Sequence, residues 1–137
     1  MVLDVGCASG YSTAVLARLA KAVVALEVDS ALAGLAAGLM RTLGIVNAIV
    51  IEGPLAAGAP THAPFDVILL NGSVAEAPAH LLAQLKERGR LLAVVAEGSF
   101  GGACIWRRAG KGFDALRTFD ASAEALPGFA RQAQFTL

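Results

Sequence analysis

Charge is scarce in this chain. Only 16 % of its 137 residues are Asp, Glu, Lys or Arg, and aromatic residues make up 6 %. Soluble domains ordinarily carry about 25 % charged residues, so the polar surface is thin. The apolar fraction of 56 % excludes a disordered chain, which needs low hydrophobicity and high charge. Neither sign of charge is in excess: eleven basic residues offset eleven acidic ones. No net field therefore draws the chain to nucleic acid or to an anionic membrane surface.

Cysteine is nearly absent too. Cys7 and Cys104 are too few and too far apart for a disulfide framework or a metal-ligand cluster, which suits a reducing, cytoplasmic compartment. Long uncharged runs are missing, because Asp4, Lys21, Glu27, Asp29 and Arg41 interrupt the apolar stretches. A membrane span takes roughly 20 nearly uncharged residues, so no membrane is expected. No basic segment followed by an apolar run opens the chain, so secretion is not expected either. A lead-in is lacking as well: Met1-Val2-Leu3-Asp4-Val5 already reads as a core strand, which suggests an N-terminally truncated domain. The length suits one domain over residues 1–137.

What is present alternates between strand and helix. Val2 to Val5 reads as a buried strand, Gly6 to Gly10 as a tight turn, and Tyr11 to Ala20 as a helix with Val15, Leu16 and Leu19 on one side. Val23 to Val28 is a second strand. Asp29-Ser30 supplies an N-cap for a helix whose leucines fall at 32, 35, 39 and 43, and Gly44 stops it. Val46 to Ile51 is a third strand, followed by a Gly/Pro/Ala-rich loop from Gly53 to Pro64. Val67 to Leu70 forms a fourth, led in by Phe65-Asp66. A helix is predicted from Pro78 to Gly89 around Leu81, Leu82 and Leu85, then a fifth strand from Leu91 to Val95. Cys104 to Arg108 and Phe113 to Phe119 flank Ala109-Gly110-Lys111-Gly112, a hairpin signature. Continuous apolar strands are buried on both faces. The fold class is therefore α/β: a Rossmann-like, doubly wound, mostly parallel sheet with a C-terminal antiparallel hairpin at one edge. Ligands in such sheets bind at the carboxyl ends of strands where the winding reverses.

Two features of the first half could carry chemistry. Asp4-Val5-Gly6-Cys7-Ala8-Ser9-Gly10-Tyr11 joins a strand to a helix start, where glycine permits close backbone approach and free N–H groups are on offer. An ordinary turn needing positive φ explains the same glycines. The dinucleotide pattern G-x-G-x-x-G fits poorly, since Ala8 and Tyr11 occupy its later glycine positions. That counts against a nicotinamide oxidoreductase. No Lys or Arg occurs from Met1 to Ala17, which suits a nucleoside ligand without phosphates. Glu27, 21 positions beyond Gly6, has the spacing of an acid that accepts from both ribose hydroxyls. A solvated loop acid is the alternative.

The constellation resembles class I S-adenosylmethionine-dependent methyltransferases, and more closely the protein-L-isoaspartate O-methyltransferase family. The stretches that carry the likeness are Val2 to Tyr11, Ala25-Leu26-Glu27 and Ala63-Pro64-Phe65-Asp66-Val67-Ile68. Pro78, Leu82-Ala83-Gln84-Leu85-Lys86 and Arg88-Gly89-Arg90-Leu91-Leu92 extend it. The resemblance implies S-adenosyl-L-methionine as cofactor, an isoaspartyl protein or peptide as methyl acceptor, and a carboxyl O-methyltransferase activity. It places Gly6, Ala8, Gly10 and Tyr11 along the methionine and ribose end, with Asp4 orienting the turn. Glu27 is implied at the ribose, Val28 against the adenine, Gly53 and Pro54 near the adenine, and Asn71 and Gly72 beside the methyl-transfer side. This chain departs from the family pattern in three places. Ala8 stands for a glycine, Gly53-Pro54-Leu55 replaces Gly-Asp-Gly, and Asn71-Gly72-Ser73 replaces Thr-Ala-Ala. Family members also carry an active-site segment ahead of the first motif, so no catalytic residue transfers. The alternative is an inactive or weakly cofactor-binding module.

The other candidates have ordinary explanations. His62 and His80 are isolated, Cys7 suits small-residue packing, and Ser9 is expected to help cap the first helix. Arg107, Arg108 and Lys111 read as a solvated sheet edge, and Trp106 as an anchor for the last strands. Bare apolar helix faces predict self-association, and with it a homo-oligomer.

Overall fold

The computed structural model describes residues 1–131. Seven strands form one sheet: β1 (Val2–Val5), β2 (Val23–Glu27), β3 (Ala48–Glu52), β4 (Phe65–Val74), β5 (Leu85–Glu97), β6 (Phe100–Ala109) and β7 (Gly112–Asp120). Their order is β3-β2-β1-β4-β5-β6-β7. The first five run parallel; β6 pairs antiparallel with β5, and β7 antiparallel with β6. The chain steps outward from β1 to β3 and then crosses back to β4. The winding therefore reverses between β1 and β4, where such folds open a crevice.

Every residue of β1 and β2 is buried, as expected of strands covered on both faces. On one face α1 (Tyr11–Leu19) and α2 (Ser30–Thr42) pack over Val2, Val23 and Ala25. On the other, Leu3, Val5, Leu26, Ile68, Leu91 and Trp106 meet the 3-10 turn Leu55–Ala57 and the one-turn helix α3 (Ala79–Leu82). Trp106 is buried there, so it anchors the hairpin as expected. No helix among the described residues is long and apolar enough to cross a membrane.

Several elements depart from the sequence reading. The leucine stripe of α2 is not its most buried side: Leu32 and Leu39 are half-buried and Leu35 (61 %) and Leu43 (47 %) exposed, while Ala33, Ala36 and Met40 are buried. The cause lies in the glycine turn. A β-carbon on Gly10 would stand 3.0 Å from Ala36 Cα, so the helix comes close enough that small side chains line its inner face. In α1 the buried residues are Thr13 and Ala17, with Val15 and Leu19 turned outward.

β3 begins two residues later than expected and leaves Val46 exposed. Asn47 precedes it and donates to the carbonyls of Ala17 and Ala20 at the end of α1 (2.7 and 3.0 Å). The predicted helix from Pro78 to Gly89 is cut to a single turn. Leu85 opens β5 instead and pairs with Phe65, and both are fully buried. Arg88 at φ 63 and Gly89, packed against the Lys86 and Phe65 carbonyls, carry β5 past an irregularity in its pairing with β4. β4 runs on past its expected end at Leu70, through Asn71, Gly72 and Ser73 to Val74.

The hairpin forms around Gly110-Lys111 with longer arms than expected. Beyond β7 the chain returns across the top of the sheet. Ser73 N–H donates to the Glu124 carbonyl (2.7 Å) and Leu126 N–H to the Ser73 carbonyl (3.0 Å). This strap, residues 121–131, had no signal in the sequence reading.

Candidate functional site

Strand β1 ends at the crevice, and its last residues set the geometry. Asp4 is fully buried and, among the described residues, pairs with no cation. Its Oδ2 accepts from Ser12 Oγ (2.8 Å) and Thr13 Oγ1 (2.7 Å), and its Oδ1 from Asn71 Nδ2 (2.6 Å). Three elements are thereby tied together: β1, the first turn of α1 and the end of β4. Ser12, a nucleophile by residue type, is a donor in this network.

The turn itself is backbone chemistry. Gly6 (φ 74), Ala8 (φ 49) and Gly10 (φ 98) all lie in the left-handed region. The Leu26 carbonyl accepts from Gly6 N–H (2.9 Å) and Cys7 N–H (3.2 Å), fixing the turn to β2. Gly10, not Ser9, is the N-cap of α1, and no side chain bonds there. Tyr11 opens that helix and is 80 % exposed.

Glu27 ends β2 and is 5 % exposed. Its Oε2 accepts from Ala8 N–H (2.8 Å), and its Oε1 from the N–H groups of Val28 (2.9 Å) and Asp29 (3.1 Å). The carboxylate thus faces the glycine turn and steadies it. A carboxylate has about four acceptor positions, so one stays open on Oε2. Gly53 N–H bonds the Glu27 carbonyl (3.0 Å), which brings Gly53 and Pro54 beside the end of β2.

Cys7 is buried under the turn. Burial foremost, with the nearby Asp4 and Glu27 carboxylates, pushes its thiol up to about 11. It is a neutral packing residue at neutral pH. The isolated histidines stay apart, and among the described residues no group of His, Cys, Asp or Glu could hold a metal ion.

Hydrogen bonds therefore gather Asp4, Ala8, Glu27, Val28, Gly53 and Asn71 around the Gly6–Gly10 turn, with Asp4 buried beneath it and Gly10 packed on Ala36. Gly72 serves a different neighbour: a β-carbon there would meet Leu126 Cγ at 2.6 Å and the Glu124 carbonyl at 2.8 Å. Leu126 also stands 2.9 Å and Leu55 3.8 Å from a β-carbon placed on Gly6. Sequence reasoning met Leu55 only as part of the Gly53-Pro54-Leu55 departure and missed Leu126, which neither spacing nor residue type marks. A separate cleft of about 830 Å³ lies between α3 and the strap, lined in part by Glu76, Pro78, His80, Phe129 and Arg131.

The strand order, the switch point and an acid facing a glycine turn define a Rossmann-like α/β domain of the kind methyltransferases use. A solved protein-L-isoaspartate O-methyltransferase shares this fold, with TM-score 0.86 and 26 % identity over 93 % of this chain and 42 % of its own. A Plasmodium falciparum structure described as a putative protein-L-isoaspartate O-methyltransferase in complex with S-adenosyl-L-homocysteine has TM-score 0.78. It is 23 % identical, covering 91 % of this chain and 64 % of its own.

Residues 1–113 match the family described as Protein-L-isoaspartate(D-aspartate) O-methyltransferase (PCMT), and the chain belongs to that family. Protein-L-isoaspartate O-methyltransferase 1 of Anaeromyxobacter sp. (strain Fw109-5) is 42 % identical over 92 % of this chain. The Roseiflexus castenholzii relative, a protein-L-isoaspartate O-methyltransferase, is 45 % identical over 66 % of it. The matched regions span 58 % and 42 % of those two proteins, so the chain covers about half the length of such relatives.

Proposed function

We propose that this chain is the S-adenosyl-L-methionine-binding domain of a carboxyl O-methyltransferase that acts on isoaspartyl residues of damaged protein. The single observation that carries the reading is the buried Glu27 carboxylate turned onto the Gly6–Gly10 turn at the β1/β4 switch point. Among the described residues it has no cationic partner, and its remaining acceptor position suits a ribose hydroxyl. The absence of Lys and Arg from Met1 to Ala17 suits a ligand without phosphates.

In this reading Glu27 holds the ribose, and Val28, Gly53 and Pro54 border the adenine. Gly6, Ala8, Gly10 and Tyr11 line the methionine side. Asp4 fixes the turn through Ser12, Thr13 and Asn71 and touches no ligand. Asn71 and Gly72 sit toward the acceptor. When bound, the sulfonium supplies an electrophilic methyl group for an in-line attack by a carboxylate oxygen. The chain's own contribution is alignment, because no group on it has to give or take a proton in such a transfer. The Pro54 ring, unlike a carboxylate side chain, has no acceptor for an adenine amino group, so more of the discrimination falls on the ribose contact.

The free thiols of Cys7 and Cys104 suit a reducing cytoplasm, and residues 1–137 are read as one domain. The inactive-module alternative gains no support from the relatives, whose names are those of isoaspartate methyltransferases. The test is methyl transfer from labelled S-adenosylmethionine to an isoaspartyl peptide and to its ordinary aspartyl counterpart. The reading predicts a base-labile ester on the first alone. Equal labelling of both, or none alongside failure to bind S-adenosylhomocysteine, contradicts it.

A further inference from the structure

Gly6 gains its meaning from what stands over it. The turn presents its bare Cα on the crevice side, and two side chains already occupy that side: Leu55 and Leu126. They are held very differently. Leu55 is 3 % exposed and belongs to the central core. Leu126 is only partly buried and rides on a strap that pairs with the sheet through a single bridge, Ser73 with Ala125. Both backbone bonds of that bridge run through Ser73. Glu124, Ala125 and Pro127 around Leu126 are exposed. Leu55 is fixed within the core, whereas Leu126 leans on that core from a strap whose backbone bonds the sheet at Gly101 and at Ser73, with Phe129 and Arg131 adding contacts beyond it.

Glu27 takes its hydrogen bonds from Ala8, Val28 and Asp29, at the far end of the turn from Gly6 and from neither leucine. A nucleoside reaching Glu27 does not need the space over Gly6. A longer ligand, carrying a sulfur-linked amino acid toward β4, does need it. We propose that Leu126 is a specificity-determining residue: its side chain competes with the amino-acid end of the ligand for the face of Gly6, and the strap must release from Ser73 to admit that end. This rests on the reading that Glu27 binds the ribose. Gly72 fits the same arrangement, since any side chain there would dislodge the strap at both Leu126 and Glu124.

Binding of a ligand that needs a minor state is weakened by the fraction of time that state is populated. Truncating Leu126 removes the competitor without touching Glu27. Calorimetric titration of the wild-type chain and Leu126→Ala with adenosine and with S-adenosylhomocysteine separates the two ends. The expected result is S-adenosylhomocysteine binding about tenfold tighter in Leu126→Ala, with adenosine affinity unchanged.

Hydrogen exchange on the wild-type chain gives a readout that does not depend on the variant folding. S-adenosylhomocysteine, and not adenosine, should speed exchange at the Ser73 and Leu126 amides. Weaker S-adenosylhomocysteine binding in Leu126→Ala, or protection of those two amides by the ligand, would make Leu126 a ligand contact and overturn the proposal. Equal binding by both proteins also overturns it while leaving the ribose reading intact. Failure of both ligands to bind either protein sinks the ribose reading and the strap proposal together.

Discussion

Asp4 carries more of the site's order than any residue that could touch a ligand. Its carboxylate is fully buried and satisfies donors from Ser12, Thr13 and Asn71. Removing it strands the buried Thr13 hydroxyl and frees Ser12 and Asn71, which lie nearer the surface; an unpaired buried polar group costs about 1–3 kcal/mol, to which the vacated space adds. Asp4→Ala is therefore expected to lose about 2–4 kcal/mol of stability in urea denaturation. Ala8 makes the opposite case. It holds φ 49, where a β-carbon is unwelcome, so Ala8→Gly should raise the melting temperature, a gain of up to about 1 kcal/mol.

Cys7 gives a pH signature. Its thiol ionises in the unfolded chain near the ordinary 9.0 and in the fold near about 11. Below the lower value the thiol is protonated in both states and its contribution is complete. As pH rises through this window only the unfolded thiol loses its proton, so stability falls, by up to about 3 kcal/mol. Cys7→Ala should show a flatter stability profile between those values in denaturant titrations. A parallel decline in both proteins would contradict the assignment.

Elements were legible where local pattern and tertiary demand agree. β1, β2 and the hairpin follow from apolar runs and turn residues. Asp29 caps α2 through Leu32 N–H (2.9 Å), and Gly44 stops that helix at φ 65. The failures have a common cause in long-range packing. Leu81, Leu82 and Leu85 carry helical spacing, but the Phe65 amide takes the Gln84 carbonyl (2.8 Å) and draws Leu85 into the sheet. The Gln84 side chain then clamps the loop before β4, accepting from Ala59 N–H (3.0 Å) and donating to the Ala57 carbonyl (2.9 Å). Gln84→Ala should cost about 1–3 kcal/mol, read as a shift in the denaturation midpoint. Likewise α2 reads as a leucine helix until the close approach of Gly10 turns its alanines inward. Of the site, the turn and Glu27 were visible because glycine and acid spacing encode them. Leu126 was not, because its place over Gly6 depends on a strap arriving from 120 residues away.

Across the whole molecule the two sheet faces are unequally covered. Leu69, Leu92, Ile105 and Leu116 lie side by side in register on the face that carries α1 and α2. Those helices pack chiefly over β1, β2 and β3. Leu69, Leu92 and Ile105 are only partly buried, and Leu116 is 63 % exposed. With Leu35, Leu43 and Val46 also turned outward, sedimentation velocity should show concentration-dependent self-association. Leu116→Lys should reduce it, and a monomer at every concentration would contradict the expectation.

The crevice between β1 and β4 is the point on which the functional account turns. Its most direct test is the amide spectrum of the isotope-labelled chain titrated with S-adenosylhomocysteine. The account predicts the largest saturable shifts at Gly6 to Gly10 and at Glu27 to Asp29, abolished in Glu27→Ala. Unchanged spectra from a folded sample, or shifts confined to residues outside that crevice, would contradict it.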